Sequence, residues 1–319
     1  MSLPLPAVQT VLGPVDSARL GRTLFHEHIL LRDELVAAQF PHLSDPADLG
    51  TIVGAVAGVR AKGIATICDP TVAGLGRDIG LLRAVSHATG VHVIAATGLF
   101  TFAELPPYFA CRTVDELADA FVHDLEVGVQ GSAVRAAFLK CAIDKPGLTP
   151  AVEKVLRATA RAHRRTGAPI MTHTHAASEG GLIQQDIFED EGVDLARVVI
   201  GHCGDSTDLG YLERLAERGS YLGLDRYGMT EHLATDRRNT VLVELWQRGF
   251  GERLLVAQDS VTLRDRRRQP EMDDQRHDWH LSFLVDEVLP VLEAGLGAAA
   301  IETLLTDNVR GWLENRGSY

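Results

Sequence analysis

The stretch TLFHEHILL sets His26 and His28 two residues apart inside an otherwise apolar run. In an extended chain, residues i and i+2 point to one face, so the two imidazoles would converge on a shared point. A metal ion suits that point, although a lone pair of this kind is more often two hydrogen-bonded histidines at the edge of a core. Four further residues bear on the choice. Lys140 in AAFLKCAI, His173 in PIMTHTH, His202 in VVIGHCGD and Asp259 in LLVAQDS each interrupt a short apolar run toward its C-terminal end. Singly, each has a structural explanation: a boundary hydrogen bond for a histidine, an outward-snorkelling stem for Lys140, a helix cap for Asp259. Together, six such residues at the same end of five runs are hard to reconcile with chance.

Four imidazoles and a carboxylate suit zinc, with iron, cobalt or manganese as alternatives; magnesium and calcium prefer oxygen ligands. One catalytic zinc ordinarily takes three protein ligands and a water, so the surplus points to two divalent ions sharing a bridge. Lys140 fits such a site only without its charge, because an ammonium between two dications is strongly repelled. A neutral amine, its pKa lowered by burial and neighbouring cations, can add carbon dioxide to become a carbamate with one oxygen for each ion.

The elements that must position these residues repeat along the chain. Eight apolar runs, Arg22–His28, Ala65–Pro70, Val91–Thr97, Ala136–Ile143, Pro169–His175, Val198–Asp205, Tyr221–Tyr227 and Leu254–Ser260, follow an N-terminal hairpin. Between them lie segments of helical period near 50–62, 77–89, 113–129, 151–165, 181–191, 208–218, 236–248 and 279–294. In the clearest, Thr113 and Glu116 form a capping box ahead of Val114, Leu117, Phe121 and Leu125 on one face. The alternation predicts a (βα)8 barrel in a single domain over 1–319, in which the C-terminal ends of the strands form the mouth where chemistry occurs. A doubly wound open sheet would need a glycine-rich turn after the first strand, and HEHILLRDEL offers none.

Composition narrows the partners. The 319 residues carry 31 Lys and Arg against 43 Asp and Glu, a net charge of −12, which argues against nucleic acid. No segment approaches eighteen uninterrupted apolar residues and the N-terminus lacks a basic region leading into an apolar one, so no membrane association and a cytoplasmic location are expected. Cys68, Cys111, Cys141 and Cys203 are scattered without a CxxC pair, which suggests neither a disulfide framework nor a thiolate zinc site.

With TLFHEH, TGLFTFAELPPYF, FLK, THTH, GHCGD and GLDRYG in order along essentially its whole length, the sequence resembles the phosphotriesterase family of the amidohydrolase superfamily, in particular the phosphotriesterase-like lactonases. The resemblance implies one metal held by His26, His28 and Asp259, a second by His173 and His202, and a carbamylated Lys140 and a hydroxide bridging them. It implies hydrolysis of a lactone or carboxylic ester by that hydroxide, with Asp259 taking its proton, and organophosphate triester hydrolysis as a side activity. His175 is assigned at most a supporting role. The substrate would meet Phe100, which stands where the lactonases carry a tyrosine, Phe102, and Arg226 and Tyr227 of DRYG. It would also meet Arg264 in the arginine-rich stretch 264–268, whose charges either steer an anionic substrate or pair with Asp265, Glu271, Asp273 and Asp274. A homodimer joined near Leu99 to Phe109 is the expected assembly. The alternatives are a phosphotriesterase or other phosphoester or amide hydrolase of the superfamily and, from a different class, a metal-binding protein without turnover.

Overall fold

The computed structural model describes residues 6–44, 47–265, 278–314 and 317–319. The chain opens with an antiparallel hairpin, β1 (Ala7–Thr10) and β2 (Gly13–Asp16). There follow β3 (Thr23–Leu24), β4 (His28–Leu31), β5 (Thr66–Asp69), β6 (His92–Gly98), β7 (Phe138–Ala142), β8 (Ile170–His173), β9 (Val198–Ile200), β10 (Tyr221–Leu224), β11 (Leu254–Val256) and β12 (Val261–Arg264). Eight of them form one parallel sheet in the order β11-β10-β9-β8-β7-β6-β5-β3. Its two ends meet: β4 pairs in parallel with β12, His28 N–H donates to Ser260 O at 2.8 Å, and Asp259 N–H donates to His26 O at 3.0 Å. The result is the expected (βα)8 barrel.

Crossover helices surround it, and their ends follow from local chemistry. Val114–Glu126 begins with the capping box: Glu116 N–H donates to Thr113 Oγ1 at 3.1 Å, and Thr113 N–H donates to Glu116 Oε2 at 2.8 Å. Pro150–Thr166 starts on Thr149 with proline in its first turn, where no amide is needed, and stops at Gly167 in the left-handed region.

Two apolar layers hold the barrel. The outer one lies between strands and helices; the inner one fills the barrel with Phe25, Cys68, Ile94, Phe138, Met171, Val199 and Leu255. Trp312 seals its lower end, with ring centroids 6.4 Å from Phe25 and 5.4 Å from Phe138 and its indole N–H donating to Ile170 O at 3.2 Å. All four cysteines are free; Cys68, Cys141 and Cys203 are buried and Cys111 is exposed. Among the described residues no helix is long and apolar enough to cross a membrane.

Several strands stop short of the extent their apolar runs suggest. The first is broken between Leu24 and His28, so that the adjacent Phe25 and His26 both face the interior. The sixth ends at Ile200, and His202 beyond it has a left-handed backbone with φ 61°. Its N–H is taken by the Asp225 carboxylate at 2.8 Å in place of a sheet carbonyl. The eighth ends at Val256, and Asp259 lies in a second left-handed turn with φ 50° before β12 begins. The last crossover helix, expected from residue 279, starts at Leu284 because the Gln258 side chain captures the chain ahead of it: its amide donates to Leu281 O at 2.8 Å and accepts from Leu284 N–H at 2.6 Å.

Candidate metal centre and active-site cavity

At the C-terminal mouth of the barrel the chain encloses a cavity of about 310 Å³. His26, His28, Lys140, His173, His202 and Asp259, from the ends of five strands or the turns just beyond them, all line it. Lys140 is placed by a close approach of two strands. Gly98 on β6 pairs with Lys140 on β7, and a Cβ at Gly98, which has φ 145°, would overlap the Lys140 carbonyl oxygen.

Every one of the four histidines is fixed through the ring nitrogen that faces away from the cavity. Asp225, fully buried, takes His26 Nδ1 on Oδ2 at 2.7 Å and His202 Nδ1 on Oδ1 at 2.9 Å. His28 Nδ1 lies 2.7 Å from Thr71 Oγ1, and His173 Nε2 lies 2.9 Å from Asp144 Oδ2. An ionised carboxylate only accepts, so the nitrogens of His26, His202 and His173 that meet carboxylates carry the protons. Their other nitrogens present lone pairs to the cavity. His26 Nε2 and His28 Nε2 each lie 3.3 Å from Asp259 Oδ1, and Lys140 Nζ lies 3.2 Å from His26 Nε2. His202 Nε2 and His173 Nδ1 face each other at 2.9 Å, two lone pairs in opposition, an arrangement that calls for a shared cation. Ligand atoms of His26, His202 and Asp259 fall within 4.8 Å of one another, close enough to share one metal ion. The donor chemistry, imidazole and carboxylate with the outer nitrogens held, suits a metal ion.

The electrostatics agree. Burial, with Lys140 beside it, pushes His26 down to about 4, so it is a neutral ligand at pH 7. Burial, with the His202 ring packed against it, holds His173 well below the usual histidine range. Lys140 is pushed down to about 8, chiefly by burial. For Asp225 and Asp259 burial works upward, but the surrounding histidines outweigh it and hold both carboxylates well below their ordinary range. Glu27, the residue between the two first histidines, is pushed up to about 8 by burial, against the pull of its hydrogen bonds to Gln258 and Ser260.

Around this centre the walls are mixed. Phe100 and Phe102 pack together with centroids 4.8 Å apart, and both lie against the His173 ring, at 5.5 and 5.1 Å. Arg226 reaches Asp259 Oδ2 through Nε at 3.3 Å and Asp205 Oδ2 through Nη1 at 2.8 Å, and Asp205 in turn meets the buried Arg238. Arg264 lies at the cavity wall over the Trp279 ring, 4.9 Å from its centroid.

One residue expected at the substrate falls elsewhere, and His175 has no part in the cavity. Tyr227 is fully buried in the outer apolar layer and does not line the cavity; its N–H pairs with Ala257 O, and its hydroxyl makes no hydrogen bond among the described residues. His175, past the end of β8, turns to Ser178, with Nδ1 3.2 Å from Oγ, and stands off the cavity. Arg266, Arg267, Arg268, Glu271, Asp273 and Asp274 lie outside the described residues. Conversely, Asp225, Asp144 and Thr71, which orient the histidines, and Met229, His232 and Trp279 on the cavity wall were not singled out from the sequence. Asp225 alone had a readable signal, a charged residue at a strand end in step with Tyr221 and Gly223.

The phosphotriesterase family model matches residues 6–313. A phosphotriesterase homology protein of Mycobacterium tuberculosis is 41% identical over 326 residues, covering 99% of this chain and 100% of that protein. An aryldialkylphosphatase of Saccharolobus solfataricus is 38% identical, over 92% of this chain and 95% of its own length. A solved structure of the phosphotriesterase from Mycobacterium tuberculosis superposes with a TM-score of 0.94 at 40% identity, covering 98% of this chain and 100% of that one. With a barrel of that shape, and with histidines and a carboxylate gathered at its mouth, the chain belongs to the phosphotriesterase family.

Proposed function

We propose that the protein is a two-metal hydrolase of uncharged lactones or carboxylic esters, with organophosphate triester hydrolysis as a side activity. The observation that carries this reading is the set of four imidazoles, each pinned at its outer nitrogen and presenting the other to one cavity with Asp259 and Lys140. His26, His28 and Asp259 would hold one ion, His173 and His202 the other. Bound there, two divalent ions would lower the pKa of a shared water and polarise the substrate's carbonyl or phosphoryl oxygen.

The chain's own groups do the rest. Buried Lys140 yields a neutral amine near pH 8. That amine would add carbon dioxide: its nitrogen bonds to the carbon as one C=O π bond opens, one N–H proton passes to water, and a carbamate anion remains. Asp259 would take the proton of the attacking water, with Arg226 Nε beside Oδ2 to hold the carboxylate in orientation. Phe100, Phe102, Leu75 and Met229 give the cavity apolar faces, while Arg226 is already paired with Asp205 and Asp259. That balance favours a neutral substrate bearing an apolar group over a charged phosphate. A triester as the principal substrate is the second reading, supported by the likeness to the aryldialkylphosphatase.

Elemental analysis of purified protein, with lactones, aryl esters and paraoxon-type triesters assayed on the same sample, tests the proposal. It predicts about two divalent ions per chain, lactone turnover ahead of triester turnover, and loss of about 10²–10⁴-fold in kcat for Asp259→Asn with an unchanged circular dichroism spectrum. Triester turnover ahead of lactone turnover favours the second reading. Protein without bound divalent metal, or an active Asp259→Asn enzyme, overturns the mechanism.

A further inference from the structure

Glu27 stands between His26 and His28, yet its side chain is fully buried and takes no part in the cavity wall. Both of its oxygens are met by the opposite side of the barrel seam. Oε1 accepts from the Gln258 N–H at 2.9 Å and the Gln258 side-chain amide at 3.2 Å; Oε2 accepts from the Ser260 N–H at 2.8 Å and the Ser260 hydroxyl at 2.6 Å. The residue enclosed by these four bonds is Asp259, whose φ of 50° is a left-handed backbone that side chains other than glycine seldom adopt.

Successive amides around a left-handed residue form a concavity that binds an anion. Here the acceptor is the Glu27 carboxyl group, and the amide of Asp259 itself goes to the neighbouring His26 O at 3.0 Å. The seam does not need this carboxylate to close. The bond from His28 N–H to Ser260 O and the pairing of β4 with β12 already join the strands, and burying a carboxyl group is costly where an apolar side chain would fill the space.

We propose that Glu27 is a positioning residue for Asp259: by collecting the donors of Gln258 and Ser260 it holds the left-handed turn that aims the Asp259 carboxylate at His26 and His28. The inference rests on the metal-site reading above, because that is what the aimed carboxylate serves. It ties the central residue of HEH to the ligand on the last strand, so the first and last ligand positions are set as one unit.

The test uses the full chain, stripped of metal and titrated with Co²⁺ against a competing chelator, with the visible absorption band and the metal-free Tm recorded together. Glu27→Gln replaces one acceptor oxygen by an amide that opposes the donors around it. Ser260→Ala removes a single donor and serves if Glu27→Gln does not fold. Val56→Ala, in the buried face of the helix Leu49–Ala61 away from the cavity, matches a loss of stability without touching the turn. The expected result is a fall in Co²⁺ affinity of about 10–100-fold for Glu27→Gln, a smaller fall for Ser260→Ala, a shifted band in both, and wild-type affinity and band in Val56→Ala at lowered Tm. Wild-type Co²⁺ affinity and band in Glu27→Gln, or in Ser260→Ala where it alone folds, overturns the role of Glu27 and leaves the metal site standing. A wild-type protein with no Co²⁺ band overturns the metal reading and, with it, this inference.

Discussion

His202 meets Asp225 twice on one oxygen, through its backbone N–H at 2.8 Å and its ring Nδ1 at 2.9 Å. The other Asp225 oxygen takes His26 Nδ1 at 2.7 Å, so one buried carboxylate sets the tautomer and angle of a histidine from each half of the proposed pair of metal sites. In Asp225→Asn, an amide N–H replaces one of the acceptors, and one ring must give up its hydrogen bond or turn. Metal affinity measured by chelator competition is expected to fall about 10–100-fold. Affinity at the wild-type level would mean that packing alone orients the rings.

Lys140 is pushed down to about 8 by burial, and only its neutral form adds carbon dioxide. The neutral amine is the form present above the pKa. Reactivation of metal-stripped protein at fixed dissolved carbon dioxide should therefore speed up about tenfold for each pH unit gained below about 8, as the neutral fraction grows, and then level off. Lys140→Met should not reactivate at any pH. A reactivation rate indifferent to pH and to carbon dioxide would remove the carbamate from the mechanism.

Phe100 lies edge-on to His173 with centroids 5.5 Å apart and offers the substrate no donor. Phe100→Tyr adds a hydroxyl at the cavity wall. One net hydrogen bond to a lactone oxygen contributes about 0.5–1.5 kcal/mol, so kcat/KM for lactones should rise roughly 2–10-fold while that for triesters moves less. Equal changes for both substrate classes would show that the ring acts only by filling space.

The barrel was legible in the sequence because burial on both faces forces strands into short apolar runs, and a polar residue at the end of such a run stands out against them. His173 and Lys140 sit where that reasoning puts them, on β8 and β7. His202 and Asp259 reach the same cavity from left-handed turns beyond their strands, which an apolar run does not reveal, because the bonds that stabilise those turns come from Asp225 and Glu27, 23 and 232 residues away in the chain.

Tyr227 shows the opposite failure. Its place beside Arg226 suggested a shared role, yet consecutive residues at a strand end point different ways, and its ring joins the apolar layer outside the barrel. By itself the sequence determined the fold class and a set of metal-competent residues, since both depend on side-chain type and local spacing. The tertiary structure alone decided which nitrogen of each histidine faces the cavity and which carboxylates hold it there. Those choices are hydrogen bonds across the barrel, and they exist only once the strands are in register and the ring is closed.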